Sequence, residues 1–214
     1  LTRAIAEIAG RQSMKPRPQI AKISRPRLFN VVARERLFAL LDSNRGRPLI
    51  WIASPPGSGK TALVASYLES RALPAIWCQI DAGDSDPGSF FLQLSLAAEA
   101  ITAEDQILLP RFAPEHHADL NAFARIYFRA LFARLPVNSV LVLDNYQEAG
   151  PDVALHDLLR EAAAQIPPGG SIVVVSRGEA SQQFVSLRAT GALLSLGWGE
   201  LQLNLDEVRA ICAD

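Results

Sequence analysis

Short apolar runs recur along this chain, and the stretches between them carry apolar residues three and four positions apart. Leu49–Ala53, Ala75–Ile80, Val140–Leu143, Ile172–Val175 and Ala192–Leu196 read as five strands. Most are continuously apolar rather than alternating, the pattern of strands covered on both faces. The intervening periodicity predicts helices. Ala33 to Leu41 places Leu37, Leu40 and Leu41 on one face, and a second helix follows the Gly-Lys-Thr loop from Ala62 and stops before Pro74. Pro87 suits the first position of a helix through Phe90, Phe91, Leu94 and Ala98. Asp119 caps another, with Leu120, Phe123, Ala124, Tyr127, Phe128, Leu131 and Leu135 as its stripe. Further helices are expected over Val153–Ala164 and Gln182–Ala189, with an irregular connection at 102–118 and a turn at Pro167–Gly170. Alternating strands and helices predict an α/β fold, a mostly parallel five-stranded sheet with helices on both faces. Residues 1–30, interrupted by Pro16, Pro18 and Pro26, read as an irregular arm. The main domain follows over 31–204, and 205–214 starts a further helical segment.

Composition narrows this picture in two places. Of 214 residues, 49% are hydrophobic, enough for a substantial core and against intrinsic disorder. The formal net charge is only −1, yet residues 1–36 hold nine basic and two acidic side chains, so the remainder is acidic. Such a basic stretch reads as a solvated tail or a flank to an acidic domain. Cys78 and Cys212 have no zinc-like spacing and suit reduced thiols in a cytoplasm. No apolar run nears the roughly 18 residues that span a bilayer, so no membrane role is expected. The chain starts without Met and ends inside a helical pattern, which suggests a piece of a longer protein.

The strand Leu49–Ala53 runs into Ser54-Pro55-Pro56-Gly57-Ser58-Gly59-Lys60-Thr61 and then a helix. That is the setting of a phosphate-binding loop, with Ser54 where the usual pattern has its first glycine. Glycines let backbone N–H groups turn toward a phosphate, and the helix start adds partial positive charge. Pro56, Gly57, Ser58, Gly59, Lys60, Thr61 and Ala62 are the expected nucleotide contacts; Lys60 reaches the phosphates and Thr61 ligates Mg²⁺. Val140–Leu143 ends in Asp144, which would share the metal. The following residue is Asn145, whose amide can position water but cannot take its proton. Glu148 is an alternative base. Arg177, after Val174-Val175-Ser176, would sense a γ-phosphate and stabilise charge. Asp81, Asp84 and Asp86 lack the pattern of a Ca²⁺ loop and read as a polar turn. His116 and His117 read as a solvated loop, and His156 carries no signal.

With these motifs, and with Val32-Ala33-Arg34-Glu35-Arg36-Leu37, Ile80–Asp84, Leu143–Tyr146 and Val175–Arg177, the chain resembles one known family. It is similar to the N-terminal nucleotide-binding domain of the MalT-like, LuxR-family ATP-dependent regulators, which are STAND-class P-loop NTPases. The resemblance runs from Lys22 to about Arg209 and implies an ATP·Mg²⁺ switch, occupied by ATP or ADP, that self-associates when ATP is bound. It further implies a small-molecule inducer of unknown identity and DNA binding only through domains absent from this chain. It also implies that Arg34 or Arg36 lies near the nucleotide. The family usually has Asp-Asp-Tyr-His where this chain has Asp144-Asn145-Tyr146-Gln147, so slow or weak hydrolysis is expected. The residues leave two other readings open. One is an active ATPase or small-molecule kinase with Glu148 or Asp84 as base; the other is a loop serving only protein interaction.

Overall fold

Five strands form one sheet in a computed structural model that describes residues 21–99, 101, 109–150 and 153–213. The arm up to residue 20 lies outside the described residues, as does 102–108 of the connection expected to be irregular. The strands are β1 (Leu49–Ala53), β2 (Ala75–Gln79), β3 (Val140–Asp144), β4 (Ser171–Ser176) and β5 (Leu193–Leu196). Their order across the sheet is β2-β3-β4-β1-β5, and every pairing is parallel. β1 lies between β4 and β5, with Leu49 in register with Ile172 and Leu193. All five carboxyl ends therefore share one edge, and the chain crosses over β1 on the way from β4 to β5.

Successive strand residues point to opposite faces, so the continuous apolar runs supply two cores. Trp51, Cys78, Leu141, Leu143, Ile172 and Val174 pack against α3 (Pro87–Glu99), α4 (Leu120–Phe132) and α5 (Val153–Gln165). Ile50, Ile52, Trp77, Val142, Val173 and Val175 pack against α1 (Glu35–Asp42) and α2 (Lys60–Ser70). The Asp119 cap forms as expected, its carboxylate accepting from the Ala122 N–H at 2.9 Å.

Three local expectations change. The helix expected over Gln182–Ala189 is a 3₁₀ turn, Gln182–Phe184, followed by α6 (Val185–Ala189). The break comes where Phe184 is fully buried, its ring 5.4 Å from that of Trp51. Residues Pro114–Asp119 form a 3₁₀ helix in which His117 is exposed but His116 is half-buried. Its Nδ1 accepts from the Ala113 N–H and its ring lies 4.4 Å from that of Phe123. A short helix missing from the sequence reading, α7 (Trp198–Leu201), precedes α8 (Leu205–Ala213). Asn204 and Glu207 cap α8 reciprocally, each side chain accepting from the other's backbone N–H at 2.8–3.0 Å.

Candidate phosphate-binding site

The loop between β1 and α2 owes its shape to two glycines. Gly57 and Gly59 have φ of +79° and +81°, and a Cβ on either would meet nothing within 4 Å. Glycine is therefore needed there for its backbone, not for space. Ser54 keeps the loop closed by sharing a hydrogen bond between its hydroxyl and that of Ser58. No side chain caps the start of α2, so its first N–H groups face the loop.

Lys60 is buried and folds back over this loop. Its Nζ donates to the carbonyls of Ser54 at 2.6 Å and Pro55 at 3.0 Å, and to the Ser58 hydroxyl at 3.3 Å. Burial lowers its pKa and Arg177 adds to the lowering, while the Asp144 carboxylate opposes both. These three oxygens hold the ammonium where a bound anion would meet it.

Asp144 ends β3, which is separated from β1 by β4. Thr61, in the first turn of α2, spans that gap. Its Oγ1 donates to Asp144 Oδ1 at 3.1 Å, and the Asn145 N–H donates to the same oxygen at 2.9 Å. Burial pushes the Asp144 pKa above the ordinary aspartate value, against the pull of those two hydrogen bonds and Lys60. A hydroxyl and a carboxylate in contact are hard oxygen donors, and they fit Mg²⁺ shared with phosphate oxygens. Among the described residues no group of three or more His, Cys, Asp or Glu side chains could hold a metal unaided.

Asn145 adopts left-handed backbone, φ +57°, which asparagine tolerates better than most residues. A 3₁₀ turn, Tyr146–Ala149, follows. The side-chain Oε1 of Gln147 accepts from the Arg177 backbone N–H at 3.0 Å, and the Trp51 indole donates to Gly178 O at 2.9 Å. Both contacts fix the backbone that carries Arg177, whose guanidinium stays half exposed and 3.7 Å from Glu148. A cavity of about 600 Å³ opens here; Ser58 and Asp144, both expected at the site, lie behind Gly59 and Thr61 rather than among its lining residues. Pro56, Gly57, Gly59, Lys60, Thr61 and Ala62 line one side; Asn145, Gln147, Val175 and Arg177 line another. Residues Pro26–Phe29 and Val31 complete the wall.

The sequence reading missed Gln147 and the wall at 26–31. Gln147 sits one turn past Asp144, a signal that could have been followed; Pro26–Val31 has neither motif nor period. Arg34 requires a correction, because it does not line the cavity. Its guanidinium donates to Leu201 O at 2.9 Å, Gln202 O at 3.1 Å and Glu207 Oε2 at 3.1 Å. A buried guanidinium needs several acceptors, and the α7–α8 turn supplies them. Arg36 likewise turns to the carbonyls of Glu200 and Gln202, at 3.0 Å each. Asp84 is also away from the cavity, its Oδ2 held by Lys22 at 2.9 Å and by the Asp81 N–H. Ala82–Ser85 is a 3₁₀ turn capped by Asp81, in line with a polar turn at that position.

No protein-family model matches the chain. It is 30% identical over 195 residues to the HTH-type transcriptional regulator MalT of Cronobacter sakazakii, and 29% identical over 192 residues to that of Serratia proteamaculans. Each match covers 88% of this chain and 21% of the relative, so the chain spans about a fifth of their length. Among solved structures it resembles a signal transduction ATPase with numerous domains (STAND), which carries a tetratricopeptide repeat sensor, from Pyrococcus horikoshii. That likeness has a TM-score of 0.58 and 19% identity, over 88% of this chain and 26% of that one. No described helix is long and apolar enough to cross a membrane. The chain is thus similar in sequence to one part of the MalT regulators, and its fold is that of the STAND ATPase.

Proposed function

We propose that this domain binds ATP with Mg²⁺ and acts as the nucleotide-operated switch of a cytoplasmic bacterial transcriptional regulator. The observation that carries the reading is the Thr61–Asp144 hydrogen bond, 3.1 Å, beside an uncapped helix start and a loop with two left-handed glycines. The loop amides and Lys60 would hold the phosphates, and Thr61 with Asp144 would hold the metal. When bound, Mg²⁺ neutralises phosphate charge. Leu28, Phe29 and Val31 give the rest of the nucleotide an apolar wall. Arg177, already facing the cavity, senses the terminal phosphate.

Hydrolysis is slow in this reading. The Asn145 amide cannot accept a proton, and Glu148 is engaged with Gln147 at 3.2 Å and with Arg177. Occupancy by ATP rather than turnover then sets the state, and the ATP-bound form self-associates. An inducer and DNA act through the remainder of the protein.

Calorimetry with ATP and Mg²⁺ tests the site. Measurable affinity in the native chain and none in Lys60→Ala is expected; equal binding by both refutes it. Phosphate release well below about 1 s⁻¹ is expected, since faster turnover is that of an ordinary enzyme. Sedimentation with and without Mg·ATP tests self-association.

A further inference from the structure

The wall at residues 26–31 belongs to a segment that is tied down at both ends. At the first end, Lys22 Nζ lies 2.8 Å from Asp81 Oδ2 and 2.9 Å from Asp84 Oδ2, just past the carboxyl end of β2. The Asp84 side chain is 1% exposed, so this pair is shielded from water. Ile23 packs into the core on the α3 side of the sheet, whereas Leu28 packs into the core on the α2 side. Between them the chain rounds β2, which is the edge strand. Phe29 and Val31 then face the cavity while remaining 80% and 38% exposed, so the wall is placed but not packed in.

At the second end, Arg34 and Arg36 converge on Glu207 Oε2, at 3.1 Å and 3.5 Å, and on the carbonyls of α7 and its C-terminal turn. Glu207 is also the residue that caps α8 through the Asn204 N–H. This cluster leaves Arg34 Nε and Glu207 Oε1 buried without a hydrogen-bond partner, where the first end leaves Asp84 Oδ1 alone. A fully satisfied buried network is rigid, and this one falls short of that by two groups. α8 in turn exposes Leu205, Val208 and Ile211.

We propose that residues 22–36 form a strap that passes nucleotide occupancy of the cavity to α8, with Lys22–Asp81/Asp84 as its fixed end and Arg34–Glu207 as its moving end. Only two residues separate the wall at Val31 from Arg34. A ligand lying against the wall makes contacts in one strap position and not the other, which is what shifting an equilibrium requires. The fixed end keeps the strap from yielding toward β2, so displacement appears at Glu207 and the start of α8. The proposal rests on the cavity being a nucleotide site.

Hydrogen exchange of the chain, with and without Mg·ATP, alongside calorimetry, tests it. In the native chain, Mg·ATP should alter exchange at 26–34 and, by roughly fivefold or more, at 205–213. Glu207→Gln keeps an acceptor for the Asn204 N–H and removes the charge. It should bind ATP within about threefold of the native affinity and keep the change at 26–34, but lose the response at 205–213. Lys22→Met acts far from α8, so it serves even if Glu207→Gln loosens that helix; it should abolish the same response. A native chain that binds ATP with α8 unmoved overturns the strap alone, as does an undiminished response in both variants. No binding heat and no exchange change anywhere overturns the nucleotide reading and the strap with it.

Discussion

Asn145 shows how a single backbone angle and a single functional group divide the site's work. Its φ of +57° is a conformation that asparagine and aspartate both adopt readily. Asn145→Asp should therefore leave the turn intact while adding a carboxylate able to accept a proton. Phosphate release should rise by about 10²-fold, the lower range for general-base catalysis. Unchanged turnover would mean that water is not oriented from this position. The adjacent Asp144 sets a pH limit. Because burial raises its pKa, it takes up its proton at higher pH than an ordinary aspartate. Mg²⁺ needs the ionised form, so metal-dependent nucleotide affinity should begin to fall, as pH drops, above the usual aspartate value of about 3.9. A Mg²⁺ titration at several pH values would show the midpoint; a fall only below that value would contradict the buried carboxylate. At Gly59 the argument is conformational. Gly59→Ala has open space but must hold φ +81°, costing about 1–2 kcal/mol in urea denaturation.

Elements whose residues all serve one purpose were legible in the sequence. β1 has the bounds expected, because five consecutive apolar residues buried on both faces leave few alternatives. α4 was readable for the same reason, its stripe and Asp119 cap agreeing. Reading failed where a tertiary partner decides. Gln182–Ala189 has a helical pattern, yet the burial of Phe184 beside Trp51 and His156 breaks it into two turns. His116 reads as polar surface but packs on Phe123. The α3–α4 contact shows how strongly such partners weigh. Phe91 is 1% exposed, and its ring lies within 6.0 Å of those of Phe90, Phe112, Phe123, Tyr127 and Phe128. Phe91→Ala should lower unfolding free energy by about 3–5 kcal/mol. A loss under about 1 kcal/mol would mean that the neighbouring rings collapse into the space.

At the scale of the whole molecule, the parallel sheet could be foreseen but the order β2-β3-β4-β1-β5 could not, because no local pattern encodes it. That order sets Thr61 and Asp144 two strands apart and still in contact, so a site written in separate motifs closes only in three dimensions. It also leaves β2 as an edge that residues 21–25 cover, binding an apparently featureless arm to the fold. The ion pairs that fix this arm give it a pH window. Hydrogen bonding by Lys22 lowers the Asp81 pKa; at Glu207 burial opposes, but Arg34, the Asn204 N–H and Arg36 together hold it low. Both carboxylates are more acidic folded than unfolded, so their contribution is full above about pH 4–4.5 and is lost as pH falls through the lowered values. Lys22 has its pKa raised despite burial, through Asp81 and Asp84, so its contribution fades only above the usual lysine value of about 10.4. Acid should thus release the strap and α8 while the sheet, whose strands are apolar, still holds. Limited proteolysis between about pH 6 and pH 3 with an acid-stable protease should cut first near 22–36 and 203–213, at pH values where near-ultraviolet circular dichroism of a Trp198→Phe chain, which reports Trp51 and Trp77, is unchanged. Simultaneous loss of both signals would show that the strap unfolds only with the core, and that its ion pairs do not govern it separately.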